Sequence, residues 1–182
     1  MRFCALRIFL VALVGTAIPS AHTQTPSEYA VKAAFVFNFA KFVEWPATAF
    51  RNNQSPVTIC VVGEDPFGKM LDDTIKGQTV GSRGYAVRRV AQIPRDDSCQ
   101  IAFLGASEKG RAEQTLGAIK GLPILTVGDR DDMAETGNMI AFLIEENRVR
   151  FEINLDIAEL AGLKISSRLL KLAKTVHERR KN

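Results

Sequence analysis

Histidine is the side chain that most often serves as a general base near neutral pH, and it is scarce in this chain of 182 residues. His22 lies beside the apolar N-terminal segment and His177 lies in a basic C-terminal tail, so the sequence between them contains none. This scarcity argues against a Ser-His or Cys-His nucleophile and against a metal site built from several histidines. The sequence therefore predicts no catalysis, no bound metal and no cofactor.

Three short motifs could carry chemistry, but local structure explains each of them better. Residues 63–68 follow a predicted strand, where α/β proteins bind phosphates, yet they match neither phosphate-binding glycine motif and contain two acids that would repel phosphate. Asp129, Asp131 and Asp132 could bind Ca²⁺ or Mg²⁺, but their spacing does not fit an EF-hand and acids are common where a helix begins. Ser107 is better explained as a helix cap than as a nucleophile.

Cys60 and Cys99 are the two cysteines that remain when Cys4, in the N-terminal segment, is set aside. In an exported chain such a pair suggests a disulfide, because exported compartments are oxidising. A bridge between them would stabilise the fold by about 4 kcal/mol in the chain-entropy model. Two buried thiols and a redox pair are the alternatives, although the C-x-x-C spacing usual in catalytic redox pairs does not occur.

The first 23 residues are predicted to be a secretory signal peptide. Arg2 and Arg7 precede or flank an apolar run over residues 8–18, which is shorter than the roughly 20 residues that span a bilayer. Small residues around Ala21 place the cleavage between residues 21 and 24, and a retained membrane anchor is the alternative interpretation. We therefore expect one exported domain over residues 24–182.

The composition is that of an ordinary globular domain, with 46% apolar and 24% charged residues. The formal net charge is +4, and it falls to +2 when Arg2 and Arg7 are removed, which leaves 22 basic against 20 acidic residues. An excess this small does not indicate nucleic-acid binding.

Hydrophobic patterning predicts an α/β fold. Apolar runs of strand length occur at Val57–Val62, Ile101–Leu104 and residues 123–127, and helical patterns alternate with them, which indicates a parallel sheet with right-handed crossovers. Residues 139–144 and 148–153 are strand-like and are joined by a short polar turn, which predicts an antiparallel hairpin. The expected fold is a mainly parallel sheet flanked by helices, with a C-terminal antiparallel hairpin.

Helix signals fill the segments between the strands. Ser27 is predicted to begin a helix that ends before Trp45 and Pro46. Phe37 and Trp45 could belong to the core, to a groove that binds a partner or to a small-molecule pocket. Phe35, Phe39 and Phe42 are expected in the core. A further strand is predicted over residues 85–90. Further helices are predicted over about residues 66–76, 107–119 and 154–161, and a last helix is predicted to run from Ser166 or Ser167 through Val176.

Charge alternates along the second strand of the predicted hairpin. Arg148, Arg150 and Glu152 lie between apolar residues, so the strand has one charged and one apolar face. A solvated strand face is one interpretation. The other is a partner surface that combines these three charges with exposed apolar groups.

Six strings, in order along nearly the whole mature chain, carry a family resemblance. They are residues 29–35 (YAVKAAF), 38–46 (NFAKFVEWP), 59–68 (ICVVGEDPFG), 137–142 (GNMIAF), 147–154 (NRVRFEIN) and 161–170 (AGLKISSRLL). Together they resemble the YfiR-like family of periplasmic proteins, and Cys99 stands where that family's partner cysteine does.

The resemblance implies a periplasmic regulator that is not an enzyme. Such a regulator holds the periplasmic sensor domain of an inner-membrane diguanylate cyclase inactive, and so lowers cyclic di-GMP signalling and biofilm formation. The resemblance also implies a second partner, which is a peptidoglycan-associated outer-membrane lipoprotein. It further implies homodimerisation and a structural Cys60–Cys99 disulfide. The best-known members carry a second bridge, which this chain lacks.

The residues also allow a function of another class. Phe37 and Trp45 could line the pocket of a periplasmic small-ligand receptor. Such a receptor would report to a different membrane sensor, for example a histidine kinase.

Overall fold

The apolar runs of the sequence form the centre of a computed structural model that describes residues 27–96, 98–130 and 137–179. The predicted signal peptide, Asp131 and Asp132 lie outside the described residues. The strands are β1 Val43–Glu44, β2 Val57–Val62, β3 Thr79–Val80, β4 Arg83–Val90, β5 Ile101–Leu104, β6 Leu125–Gly128, β7 Ile140–Glu145, β8 Arg148–Asn154, β9 Lys164–Ile165 and β10 Thr175–His177. The α-helices are α1 Glu28–Phe39, α2 Lys69–Ile75, α3 Ala112–Ala118, α4 Leu155–Leu160 and α5 Ser167–Leu170, with 3₁₀ turns at Ala47–Ala49 and Ala106–Arg111.

Eight strands form the main sheet in the order β10-β8-β7-β6-β5-β2-β4-β3. Neighbouring strands are parallel except for the pairs β7–β8 and β3–β4. A separate two-stranded antiparallel sheet joins β1 to β9. The predicted fold class, a mainly parallel α/β sheet flanked by helices with a C-terminal antiparallel hairpin, is confirmed.

The core lies on both faces of this sheet. Residues of β2 alternate between the two, because successive side chains of a strand point to opposite faces. The larger cluster packs under α1 and includes the rings of Phe35, Phe39, Phe142 and Phe151, whose centroids lie 5.3–6.1 Å apart in the contacting pairs. The smaller cluster packs under α3 and includes Val62, Ala102, Leu104, Ala112 and Leu116.

Several predicted local signals are confirmed. Ser27 caps α1 by accepting a hydrogen bond from the Ala30 N–H, and Asn154 caps α4 in the same way through the Ile157 N–H. The hairpin turn places Glu146 and Asn147 at φ of 49° and 58°, the left-handed backbone that two-residue hairpin turns require. Residues 35, 39 and 42 all pack on the larger core, as expected.

The predicted last helix is wrong beyond its first turn. Ser166 caps α5, as one of the two expected serines, but this helix ends at Leu170 and residues 175–177 form β10 instead. β10 pairs in parallel with β8, which would otherwise leave backbone N–H and C=O groups unpaired at the sheet edge. Leu172 and Val176, which fall within the predicted helix, are 59% and 36% exposed.

Helix boundaries elsewhere also differ from prediction. Ser107 does not cap the helix that follows β5, because it lies inside a 3₁₀ turn and α3 begins only at Ala112. Its Oγ instead accepts a hydrogen bond from the Glu64 N–H, 3.0 Å away, across the neighbouring loop. The part of the chain that the structure describes contains no helix long and apolar enough to cross a membrane.

Candidate functional site

The β7–β8 hairpin carries the charges that the sequence singled out. Its register pairs Leu143 with Arg150 and Glu145 with Arg148, so Arg148, Arg150 and Glu152 share one face while the phenylalanines of both strands point to the core. Arg148 and Arg150 are exposed and Glu152 is half-buried. The structure therefore brings the three predicted residues together on one surface.

β10 extends this surface with residues that the sequence did not indicate. The His177 Nε2 lies 3.1 Å from the Glu152 Oε2, and the Lys174 Nζ lies 2.8 Å from the Glu145 Oε1. The hydrogen bond from Lys174 lowers the pKa of Glu145. We define the hairpin face as Glu145, Arg148, Arg150, Glu152, Lys174 and His177.

The hairpin face has the features of a docking surface. Arg148 makes no ion pair within the described residues, and the closest carboxylate to the Arg150 Nε lies 4.0 Å away, on Glu145. Apart from His177, the face has three basic residues and two acids. Leu172, in the segment before β10, is a large exposed apolar side chain close in sequence to this face. Ile144 and Val176 are also exposed, but they lie on the opposite face of the sheet, because their pairing partners Val149 and Ile153 pack on the larger core.

The two cysteines are joined by a disulfide between neighbouring central strands. Cys60 lies in β2 and Cys99 lies just before β5, with their Cα atoms 5.8 Å apart. Both are buried, with exposures of 0% and 2%. Reactive cysteines are usually partly exposed, so this burial favours a structural bridge over a redox pair.

Phe37 and Trp45 occupy different environments. The ring of Phe37 is buried and lies 5.1 Å from that of Tyr85. The half-buried Trp45 donates a hydrogen bond from its Nε1 to the Gln100 carbonyl, 3.2 Å away. No ring contact joins the two among the described residues, so a shared pocket stays a prediction.

The turn at residues 63–68 is occupied by the protein's own side chains. Its Glu64 N–H is bonded to Ser107, and its Phe67 N–H is bonded to the Asp65 carboxylate at 2.8 Å. A Cβ on Gly63 would lie 2.6 Å from both the Ser107 Oγ and the Glu108 Oε1. Two backbone N–H groups at the carboxyl end of β2, where α/β sheets commonly bind ligands, are thus already bonded to side chains of the protein.

Asp129 is the counter-ion of a buried lysine. The Lys32 Nζ lies 2.8 Å from the Asp129 Oδ1 and donates to the Asp129 carbonyl at 2.9 Å, and Glu28 approaches the same Nζ to 2.5 Å. The Tyr29 hydroxyl donates to the Asp129 Oδ2 at 3.1 Å. The i,i+4 spacing of Glu28 and Lys32 is visible in the sequence, but the partnership with Asp129 is not.

Both tyrosines of the chain should ionise late in the native state. Burial, then the nearby Asp129 carboxylate, raises the pKa of Tyr29 to about 12, and burial alone raises that of Tyr85 to about 12. We expect tyrosinate absorbance to begin well above pH 10 in the native protein and near pH 10 in denaturant. Because the folded state raises both pKa values, the stability they contribute is present below pH 10 and is lost as the pH rises towards 12.

Single substitutions distinguish the ionisation of Tyr29 from that of Tyr85. Tyr29→Phe and Tyr85→Phe should each remove one of the two late-ionising tyrosines and leave the other unchanged. About a quarter of the full tyrosinate absorbance at pH 10, the amount from one half-ionised ordinary tyrosine, would contradict the expected burial of one of the rings.

Comparison with known proteins places the chain in a family and a fold. A family model described as YfiR/HmsC-like matches residues 29–174. The crystal structure of a conserved domain protein from Vibrio cholerae O1 biovar El Tor str. N16961 superimposes with a TM-score of 0.55 at 11% sequence identity. The match covers 82% of this chain and 60% of that one. At this identity the likeness shows a shared fold.

Proposed function

The chain belongs to the YfiR/HmsC-like family of periplasmic regulators, and from this premise we propose that it represses a membrane signalling protein by direct contact. The proposed target is the periplasmic sensor domain of an inner-membrane diguanylate cyclase. Repression would lower cyclic di-GMP synthesis inside the cell. Export through a cleaved signal peptide, as one domain over residues 24–182, is part of this proposal.

The mechanism must act through the equilibrium of the sensor. The cyclase active site lies across the membrane, so a periplasmic protein can inhibit it only by binding an inactive sensor state more tightly than the active one. Moving a sensor from 1% to 99% inactive requires roughly a 10⁴-fold difference in affinity. The regulator therefore needs a surface that discriminates between two conformations of one partner.

The hairpin face is the surface that supports this proposal best. The observation that carries it is the exposed Arg148, which makes no ion pair within the described residues, beside the weakly paired Arg150 and close in sequence to the exposed Leu172 before β10. Charge complementarity at such a face would fix orientation and speed association. We also predict binding to an outer-membrane lipoprotein and to a second copy of the chain. We assign no surface to either partner.

The direct test is a pull-down from detergent-solubilised membranes. The mature, oxidised chain serves as bait and mass spectrometry identifies what it retains. Recovery of a membrane cyclase with a periplasmic domain would support the proposal. Recovery of a histidine kinase would mean that the chain is a regulator of a different membrane sensor. Recovery of a small molecule without a membrane protein would favour the ligand receptor.

Charge reversal on the hairpin face should weaken partner binding. We expect the double variant Arg148→Glu/Arg150→Glu to raise the Kd for the recovered sensor domain by about tenfold, mainly through slower association, and to lose that difference at high salt. Glu152→Lys should also change the affinity. Binding is measured by surface plasmon resonance, and cyclase activity in membrane vesicles should rise in parallel.

A matched control comes from the opposite end of the strand order, where four strands separate β4 from β8. Arg88 is also an exposed strand arginine, on β4. Arg88→Glu should leave the affinity unchanged. If all hairpin variants fold with unaltered urea midpoints and bind as the parent does, the hairpin face is not the docking surface.

A further inference from the structure

A groove between α3 and α4 is separate from the hairpin face. It encloses about 540 Å³, within the 300–1,000 Å³ typical of small-molecule sites. Its walls are mostly apolar, and Leu160 at its rim is 65% exposed. The apolar residues that line it are Leu116, Ile119, Ile124, Met139, Ile157 and Leu160.

The groove also contains a buried hydroxyl with an unused donor. Thr126, 3% exposed, accepts a hydrogen bond from the Met139 N–H at 2.9 Å. Its own proton reaches no acceptor within the described residues. A buried donor without an acceptor is costly, so this hydroxyl would gain from an acceptor on a bound molecule.

The charges around the groove cancel. α3 contributes Glu113 and the turn after it contributes Lys120. The opposite side contributes Asp156 and Arg179, whose carboxylate and guanidinium lie 3.9 Å apart. A ligand with a net charge would gain little attraction from this rim and would lose hydration between apolar walls. The groove therefore selects against charged molecules.

From these observations we infer that the groove binds an uncharged, mainly apolar small molecule carrying a hydrogen-bond acceptor, such as a ketone or an ester. The apolar walls hold its body and the Thr126 hydroxyl donates to its acceptor. This site would give the regulator a small-molecule input distinct from its partner surface. It does not depend on the identity of that partner.

Nile red is a suitable probe, because it is uncharged, carries a carbonyl and fluoresces in apolar surroundings. We expect saturable fluorescence enhancement with the mature chain, and binding roughly tenfold weaker for the anionic probe anilinonaphthalene sulfonate. Absence of saturation, or equal affinity for the two probes, would overturn the inference.

Gly117 allows the groove to be filled without disturbing the fold. It lines the groove on α3, and a Cβ added to it meets nothing within 4 Å. Gly117→Phe should weaken Nile red binding about tenfold or more by occupying the space. The matched variant Gly117→Ala, which adds little volume, should bind within about twofold of the parent. Unchanged binding by a folded Gly117→Phe would place the probe elsewhere and refute the site.

The hydroxyl is tested independently. Thr126→Val keeps the shape but removes the donor, together with the acceptor of the Met139 N–H, and should weaken Nile red binding about fivefold. Thr126→Ser keeps the hydroxyl and should restore binding. Equal affinity of the valine and serine variants, each checked for folding by circular dichroism, would show that Thr126 does not contact the ligand.

Discussion

Replacing Lys32 by methionine should lower the free energy of unfolding by about 3–5 kcal/mol, because it leaves the buried Asp129 carboxylate without its counter-ion. Lys32 and Asp129 are each 2% exposed, and the lysine ammonium holds both the Asp129 carboxylate and its carbonyl. The ammonium also lies 5.0 Å from the centre of the Tyr29 ring. Urea unfolding of the mature chain measures the change.

Two further variants test whether the loss of stability comes from the unpaired, buried Asp129 carboxylate. Lys164→Met removes an exposed lysine from β9 and should change the stability by less than about 0.5 kcal/mol. Adding Asp129→Asn to Lys32→Met removes the unpaired charge and should recover part of the loss. A loss below about 1 kcal/mol for Lys32→Met would mean that water or an added proton compensates the Asp129 charge.

Removing the disulfide should cost about 4 kcal/mol in the chain-entropy model, since it closes a separation of 39 residues. Cys60→Ala/Cys99→Ala should therefore unfold at a clearly lower urea concentration than the oxidised parent. The bridge joins adjacent strands of the core, so its removal also loosens β2 against the segment before β5.

Because the Cys60–Cys99 disulfide is buried, we also predict the rate at which it is reduced. This rate distinguishes a structural bridge from a redox pair. With Cys60 and Cys99 almost inaccessible, a thiol reductant should react only after the protein opens. Reduction without denaturant should thus be slow and should accelerate with urea. Rapid reduction in native conditions would favour the redox-pair interpretation over the structural one.

The sequence was most informative where one local signal decided the outcome. β2 and β5 were predictable because a continuous apolar run of strand length fits only a buried strand in this context. The hairpin was predictable because its alternation has a period of two and its turn is polar. Ser27 and Asn154 were predictable as caps because a cap depends on residues within one helical turn.

Other features depend on partners that are distant in the chain. β10 was missed because the segment around Val176 has a helical pattern, and only the unpaired edge of β8 makes it a strand. Ser107 satisfies the Glu64 N–H of a neighbouring loop, which no local pattern reveals. Of the candidate surface, Arg148, Arg150 and Glu152 were found from their alternation, whereas Lys174 and His177 join it only through β10.

The ion pair between α1 and the end of β6 bears on how fast the protein reaches its native state. Lys32 and Asp129 are separated by 97 positions, and the parallel strands add further non-local pairs. Folds dominated by such contacts fold slowly, because loop closure precedes the stabilising contacts. Until both ends meet, Lys32 keeps its hydration and α1 lacks this contact with the end of β6. For a chain that we propose is exported, this delay leaves time to cross a membrane unfolded before the core closes.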